Sequence, residues 1–384
     1  MEQAVEWARG AVIELRPARP GAIEMTCRVD GWAQPVPAIA YTDLVDELAP
    51  GDAVLLNTRA LSLGLGTGGL AFVVARADAG RDGLVGGPAG PPGPGGPERG
   101  EPDDDSGYLV KARYTPLQVV RRGVDSQHSP HHDTMAAARS LGGLPVVVAD
   151  LHSSLPAICA GLLSERPEAR LVYVMSDGAA LPLALSRLAA RLRLEGTLAA
   201  CITAGQAFGG DFEAVSVHSA LLAARHVVEA DAAIVIQGPG NLGTDTPWGF
   251  SGLAAGEAIN AAGVLGGRPV ACLRVSGADG RARHRGLSHH SLTAYGKVAL
   301  RPADVVVPVM VGALAELSAQ VAAEARVLGP PWGIHRLVRV ATDGLLSVLE
   351  GVPGLSTMGR SLADDPGAFL AAAAAGRHAA ALLG

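Results

Sequence analysis

The chain has 384 residues, of which 48% are hydrophobic and 18% charged, and its 50 glycines and 26 prolines make up about a fifth of it. This composition supplies a large core and excludes a globally disordered or fibrous protein. A formal net charge of −6 and an aromatic content of 4% argue against a nucleic-acid partner, because phosphate backbones require a basic surface and bases require aromatic platforms.

Short β-rich runs separated by turns occupy residues 1–79. They are Ala11–Leu15, Ala22–Val29, Gln34–Tyr41, Ala53–Asn57 and Leu70–Ala75. This spacing predicts a small N-terminal β-barrel or β-sandwich domain. The run Gly64–Gly69 fits G-x-G-x-x-G, but a strand follows it instead of a helix, so we interpret it as a hairpin or bulge.

A glycine- and proline-rich segment separates this region from the rest of the chain. Residues 80–107 contain ten glycines and six prolines and end in the acidic run Glu101–Asp105. Such a segment has high backbone entropy and little to bury, so we predict a flexible loop or linker.

Apolar strands alternate with loops and helices in residues 108–384. The predicted strands are 145–149, 171–175, 198–203, 232–236, 269–275 and, as the last one, 305–311. A helix is predicted to open at Pro182, and another, alanine-rich, to close the chain at 369–383. Uninterrupted apolar strands joined by helices predict a Rossmann-like α/β domain, with a mostly parallel sheet and helices on both faces.

Right-handed crossovers place every strand-to-helix loop at one edge of such a sheet, where ligands bind. The predicted ligand-binding residues follow strands in this register: Gly178, Gly205, Gln206, Gly209, Gly210, Gln237, Gly238, Gly240, Asn241, Gly243, Asp245 and Asp279. Glycines there let backbone N–H groups approach an anionic ligand, although α/β loops also need glycine for their turns.

One stretch of this set also suggests a dinucleotide site. Gln237–Gly243 follows a strand, Asp279 could hold a ribose, and Arg281 and Arg283 could contact a further phosphate. The helix after it begins late, however, and Asp279 lies beyond the usual spacing of about 20 residues.

Histidines and aspartates form a second constellation. We predict His152, Asp177, Asp211, His289 and His290 as catalytic candidates. Together with Asp245 and His284, they could hold a divalent metal ion, although no H-E-x-x-H or similar spacing occurs. The alternatives are a histidine base without metal and a purely structural role.

Nucleophilic hydrolysis has little support in the sequence. Ser153 and Ser176 follow strands, but no G-x-S-x-G elbow is present. The four cysteines are scattered and lack a C-x-x-C pair, which is typical of reduced thiols in a cytosolic protein. We expect no secretory signal, since the chain starts Met1-Glu2-Gln3, and no membrane partner, since no uncharged apolar run reaches 18 residues.

Four motifs carry a resemblance to a known family. They are Tyr173–Pro182, Gly205–Asp211, Gln237–Gly243 and Leu287–Thr293. Together they resemble the bacterial family called Domain of Unknown Function 3866, with residues 80–107 looking like an insertion. The resemblance runs through nearly the whole chain and implies a bacterial, cytosolic protein, but it implies no reaction.

The sequence therefore predicts a cytoplasmic protein that binds a small polar or anionic ligand, phosphorylated or nucleotide-like, as a hydrolase or transferase. Two alternatives stay open, a non-catalytic ligand sensor or assembly scaffold and an NAD(P)-dependent oxidoreductase. The sequence leaves the cofactor unknown, leaves enzyme activity undecided and is compatible with a homo-oligomer.

Overall fold

The structure, a computed structural model, describes residues 6–17, 19–62, 69–77, 109–113, 117 and 119–383. The chain forms two compact units, Met1–Arg122 with Pro182–Leu185, and Gly123–Leu181 with Ser186–Gly384. The predicted linker at 80–107 and all but the last residue of the predicted hairpin at 64–69 lie outside the described residues. No helix in the described part of the chain is long and apolar enough to cross a membrane.

The first unit contains a closed five-stranded barrel. Its elements are β1 (Trp7–Leu15), β2 (Ala22–Val29), β3 (Val36–Tyr41), β4 (Ala53–Asn57), the short helix α1 (Arg59–Ser62) and β5 (Ala71–Ala77). The strand order is β1-β2-β3-β5-β4, and β4 pairs back to β1. All pairs are antiparallel except β3–β5. The predicted barrel-or-sandwich domain is therefore a barrel. A further antiparallel pair, β6 (Leu109–Lys111) and β7 (Val119–Arg121), follows it.

The second unit is an α/β domain. Its elements are α2 (His132–Ala137), β8 (Pro145–Val148), α3 (Leu155–Leu163), β9 (Leu171–Ser176), α4 (Arg187–Leu194), β10 (Ala200–Ala204), β11 (Phe212–Ala214), α5 (Val217–His226), β12 (Ala232–Gln237), α6 (Ala254–Val264), β13 (Arg268–Cys272), β14 (Val275–Ser276), β15 (Gly286–Leu287), α7 (His289–Thr293), β16 (Asp304–Val309), α8 (Ala315–Glu324), β17 (Arg336–Ala341), α9 (Leu345–Glu350), β18 (Ser356–Thr357), β19 (Arg360–Ser361) and α10 (Pro366–Ala381).

Eight of these strands form one sheet in the order β11-β10-β9-β12-β8-β13-β16-β17, and every pair is parallel. Strands β8, β9, β10 and β12 are buried at every residue, as expected of a sheet covered on both faces. The predicted Rossmann-like fold class is confirmed.

The strand order has its switch point between β8 and β13. After β8 the chain continues to β9 on one side of this pair, whereas after β13 it continues to β16 on the other side. Neighbouring strands whose connections diverge in this way open a ligand crevice at their carboxyl ends. We therefore expect a ligand site among the residues that follow β8 and β13.

Helix α10 packs closely against α3 on one face of the sheet. A Cβ atom on Gly161 of α3 would lie 2.0 Å from the Ala373 carbonyl oxygen, and one on Gly376 of α10 would lie 2.0 Å from that of Ile158. The two glycines therefore allow the helix backbones to touch. The predicted closing helix is a central part of the core, since most of its residues are buried.

The structure corrects three details of the predicted elements. Strand β17 follows the strand that we predicted to be last, and β11 was not predicted at all. Both are edge strands of the sheet and lack a long apolar run. Helix α4 begins at Arg187, not at Pro182, because the Ser186 side chain caps it by accepting a hydrogen bond from the Ala189 N–H.

Candidate functional site

Three histidines converge in the segment that follows β13. Each of His284, His289 and His290 offers a ring nitrogen, and these atoms all lie within 4.8 Å of one another. The ring centroids are 5.1 Å apart for His284 and His289, 4.9 Å for His284 and His290, and 4.5 Å for His289 and His290. We call these three residues the histidine cluster.

Local structure brings the cluster together over a span of seven residues. The antiparallel pair β14–β15 closes the loop that carries His284, so its ring returns toward the start of α7. Ser288 caps α7 by accepting a hydrogen bond from the His290 N–H. The cap fixes the first turn of the helix, where His289 and His290 follow one another.

Hydrogen bonds engage one nitrogen on two of the rings. His284 Nδ1 lies 2.7 Å from Ser288 Oγ, and His290 Nδ1 lies 3.2 Å from Asp150 Oδ2. Asp150 lies two residues beyond Val148, the last residue of β8, and is buried. When Nδ1 carries the proton and donates to these partners, Nε2 is the nitrogen that each ring offers to a ligand. A carboxylate behind a histidine is the arrangement that orients metal-binding imidazoles.

The remaining ring has an unpartnered nitrogen. His289 Nε2 is buried and has no hydrogen-bond partner among the described residues. A buried polar group without a partner costs about 1–3 kcal/mol of stability, so the folded chain retains an unfavourable feature at this position. A metal ion coordinated by this nitrogen, or a molecule that forms a hydrogen bond with it, would remove that cost.

Burial and positive neighbours lower the pKa of two of the rings. Burial, followed by the charges of Arg274 and Arg281, lowers the pKa of His284 to about 3. Burial and the neighbouring His290 also lower the pKa of His289. Neutral imidazole is the form that binds metal ions, so His284 and His289 are in their ligating form near pH 7.

Arginine–aspartate pairs surround the cluster. Arg274, which follows β13, lies 3.3 Å from Asp150 Oδ2 and 3.0 Å from His290 Nδ1. Burial acts to raise the pKa of Asp150, but hydrogen bonds and charges from His290 and Arg274 outweigh it and lower that pKa. The carboxylate is therefore ionised and balances the buried guanidinium.

Two further pairs complete the surroundings. Arg281 binds Asp279 at 2.9 Å, and Arg283 binds Asp245 at 2.6 Å. Arg274, Arg281 and Arg283 thus each have an aspartate partner, and the charges of these pairs around the histidine cluster are close to balanced. A divalent cation at the cluster would add net positive charge there.

A hairpin loop (residues 238–250), which follows β12, borders the cluster. The Phe250 ring stacks on the His290 ring with centroids 3.7 Å apart and planes at 5°. Gly243 pairs with Phe250 across the loop, and the charge of Asp245 acts on His289. Asp245 has a φ of 66°, a left-handed conformation that aspartate tolerates better than most residues.

The structure brings part of the predicted set to this place. His289 and His290 belong to the cluster, and Gly240, Asn241, Gly243 and Asp245 lie in the hairpin loop. Two more predicted residues join through hydrogen bonds: the Gln237 side chain donates to the Asp150 carbonyl at 3.0 Å, and Asp279 accepts from Arg281.

The other catalytic candidates have separate partners. His152 is buried, with Tyr173 Oη at 3.1 Å and Ser186 Oγ at 2.6 Å. Asp177 accepts from the N–H groups of Ala180 and Gln206, which is a loop-closing arrangement. These contacts account for both side chains, and a catalytic role for either stays a prediction.

Asp211 is held in the same manner beside β10. Its carboxylate accepts two hydrogen bonds from Arg193, at 2.9 and 2.8 Å, and a third from the Cys201 N–H at 2.7 Å. It follows β10, four strands away from β13 in the sheet order. A catalytic role for Asp211 is likewise untested.

Most of the predicted glycines make room for neighbouring protein atoms. A Cβ atom would meet the Gln237 side chain from Gly178, the Asp177 side chain from Gly205, Met175 and Leu181 from Gly238, and strand backbone from Gly210. Gly209 has a positive φ and donates its N–H to Glu213. Gly240 differs, because its φ is 97° and nothing lies within 4 Å of a Cβ there. Gly240 therefore borders open space.

Sequence reasoning did not predict Asp150, Arg274, Ser288 or Phe250 as site residues. Asp150 and Arg274 each stand just past the end of an apolar strand, and that position was a usable signal. No sequence signal marked Phe250, because its contact with His290 depends on how the hairpin loop folds back toward α7.

The fold and the site define the class of this molecule: an α/β protein with a histidine cluster at the carboxyl ends of its parallel strands. The family described as "Protein of unknown function (DUF3866)" matches residues 37–376, so the chain belongs to that family. The resemblance seen in the sequence is thereby confirmed. No curated protein and no solved structure matches the chain.

Proposed function

We propose that the protein is a hydrolase that uses one divalent transition-metal ion held by His284, His289 and His290. The observation that carries the proposal is the convergence of three ring nitrogens within 4.8 Å of one another. Three histidine ligands with a further position left for water or substrate are typical of catalytic zinc sites, whereas structural zinc sites use four protein ligands.

The donor set favours zinc or a chemically similar ion. Imidazole nitrogen suits Zn²⁺, Co²⁺, Ni²⁺ and Cu²⁺, whereas Mg²⁺ and Ca²⁺ prefer oxygen ligands. The neutral state of His284 and His289 and the buried, unpartnered Nε2 of His289 both support this assignment. So does Asp150, whose carboxylate backs His290.

The chemistry follows from the class of ion. An ion of this kind, when bound, acts as a Lewis acid that activates water near neutral pH. Asp150 keeps the His290 ring in one orientation, Ser288 does the same for His284, and Phe250 covers one face of His290. The chain thus supplies oriented imidazole ligands and a partly apolar wall.

Metal analysis tests the proposal directly. We expect purified protein to contain about one zinc-class ion per chain by elemental mass spectrometry, and a chelator-treated sample to take one back by calorimetric titration. His289→Ala should abolish uptake, whereas His218→Ala, at an exposed histidine of α5, should retain it. A wild-type protein that binds none of Zn²⁺, Co²⁺, Ni²⁺ or Cu²⁺ would refute the proposal.

The oxidoreductase alternative gains no support from the site. Its ribose-binding acid, Asp279, is buried, and its carboxylate is already hydrogen-bonded by Arg281 and lies 3.3 Å from Arg360. These two guanidinium groups hold the pKa of Asp279 far below its usual range. The carboxylate is therefore engaged within the protein fold.

A further inference from the structure

We infer that the hairpin loop (residues 238–250) is the substrate-binding element of this site and that the substrate is a small ester or amide with an apolar or aromatic body. The inference rests on the proposed hydrolase function and names its substrate class. Three features of the loop carry it: its rigidity, its exposed apolar side chains and a buried donor without an acceptor.

The loop is rigid by its own hydrogen bonds. The Thr244 N–H donates to the Gly249 carbonyl at 2.8 Å, and the Gly249 N–H donates to Thr246 Oγ1 at 3.1 Å. At its base, the Leu242 N–H donates to Ser251 Oγ at 3.0 Å. A side chain on Gly249 would collide with Thr244, which shows how closely the loop is packed against itself.

Two large apolar side chains project from this rigid loop. Leu242 is 65% exposed and Trp248 is 58% exposed. They flank Asp245, whose charge reaches His289, and Trp248 lies two residues from Phe250, which stacks on His290. Exposed apolar groups on an ordered loop beside a polar site are typical of a surface that receives an apolar part of a ligand.

The loop also holds a hydrogen-bond donor without an acceptor. Asn241 Oδ1 accepts from Ser251 Oγ at 2.9 Å, which fixes the amide, while its Nδ2 is buried and has no partner among the described residues. Ser251 directly follows Phe250, whose ring stacks on His290, so Asn241 is bonded to the end of the loop that meets the histidine cluster. A neutral amide donor suits a carbonyl oxygen, whose negative charge grows during hydrolysis.

The charges of the shell favour an acyl group over a phosphate. Arg274, Arg281 and Arg283 are each paired with an aspartate, so their charges are already balanced. Phosphate recognition commonly relies on arginines that form two hydrogen bonds to the phosphate oxygens. The pairing here suits a substrate whose reacting group is uncharged.

The reaction is ordinary acyl hydrolysis. The oxygen of water forms a bond to the carbonyl carbon, and the bond from that carbon to the leaving oxygen or nitrogen breaks. One proton of the water ends on the leaving alcohol or amine, and the other is lost as the product carboxylic acid ionises. No oxidant or reductant takes part.

Two hydroxamic acids that share a metal-binding head test the inference. Acetohydroxamate carries only a methyl group, whereas benzohydroxamate carries an aromatic ring. We expect Co²⁺-loaded wild-type protein to bind benzohydroxamate at least tenfold more tightly, as followed by the visible absorption of Co²⁺. Trp248→Ala should lose this preference, and Trp332→Ala, at another exposed tryptophan, should keep it. Asn241→Leu should weaken both hydroxamates about tenfold without changing the affinity for Co²⁺.

The outcomes separate this inference from the proposed function. If wild-type protein fails to bind Co²⁺, the metal site itself is wrong and the inference fails with it. If Co²⁺ binds but the two hydroxamates bind equally well, or Trp248→Ala keeps the preference, the hairpin loop is not the binding element. Inorganic phosphate that binds the loaded protein more tightly than benzohydroxamate would overturn the assignment of an acyl substrate.

Discussion

Replacing Asp150 by asparagine should weaken metal binding by tenfold to a hundredfold. The Asp150 carboxylate lies 3.2 Å from His290 Nδ1 and 3.3 Å from Arg274 NH1, and both the Asp150 and Arg274 side chains are 7% exposed. Asparagine keeps the volume and an oxygen acceptor, but it removes the charge that strengthens both contacts. Losing a partner of this kind behind a metal-binding histidine costs about 10–100-fold in affinity, which is about 1.4–2.7 kcal/mol.

The conservative substitution matters because Asp150 also balances a buried cation. Breaking a buried ion pair costs about 3–5 kcal/mol, so alanine could unfold the α/β unit. Zinc affinity should be measured by competition with a chromophoric chelator, and circular dichroism should verify the fold of each variant.

Asp304→Asn is the matched control. Asp304 likewise lies between an arginine, Arg336, and a histidine, His378. It is the first residue of β16, however, and so lies at the amino ends of the parallel strands, whereas Asp150 lies beyond their carboxyl ends. Its replacement should leave zinc affinity within twofold of wild type. A folded Asp150→Asn protein with unchanged affinity, or an equal loss in Asp304→Asn, would refute the reasoning.

Three other predictions follow from the same structure. Gly376→Ala should lower the free energy of unfolding by about 1–3 kcal/mol, because the new Cβ would lie 2.0 Å from the Ile158 carbonyl oxygen. This loss should appear although alanine is a better helix former than glycine by about 1 kcal/mol. Gly351→Ala, whose Cβ would have its nearest contact at 3.4 Å, should leave the free energy of unfolding nearly unchanged, and denaturant melts of the two variants test the difference. Burial lowers the pKa of His152 from 6.5 to about 4, so the stability that its neutral ring contributes is present above pH 6.5 and is lost as the pH falls toward 4. At about 1.4 kcal/mol per pH unit, wild type should lose roughly 3 kcal/mol more than His152→Asn between pH 7.5 and pH 4, and melts with equal losses would contradict this. A chelator should lower the melting temperature of zinc-loaded protein by about 10 °C, since ligand at a thousand times its Kd contributes about 4 kcal/mol; an equal drop in His289→Ala would show that the chelator acts elsewhere.

The parts of the fold that were predictable are those that are buried on both faces. Strand β8 reads as an unbroken apolar run, and β12 does so as far as Ile236, because every residue of both strands is buried. Strand β17 does not, because it begins with Arg336 and Arg339 interrupts its apolar residues at the exposed edge of the sheet. A half-exposed strand of this kind resembles a loop in sequence.

The site was predictable only in part, for a topological reason. His289 and His290 stand out as adjacent histidines after a strand, and both were predicted. Asp150, the partner of His290, lies 140 residues earlier in the chain. It reaches them because β13 pairs with β8, and single-sequence patterns do not reveal which distant strands become neighbours.

The glycine contact between α3 and α10 has a consequence for how the protein is made. Helix α3 follows β8, the first strand of the large sheet, whereas α10 ends at Ala381. Gly161 and Gly376 are more than two hundred residues apart in the chain. During translation, the surface of α3 that carries Gly161 therefore stays uncovered until α10 has been synthesised. The α/β unit therefore completes its core only after residue 381 has left the ribosome, and until then this apolar surface is exposed to chaperones and to aggregation.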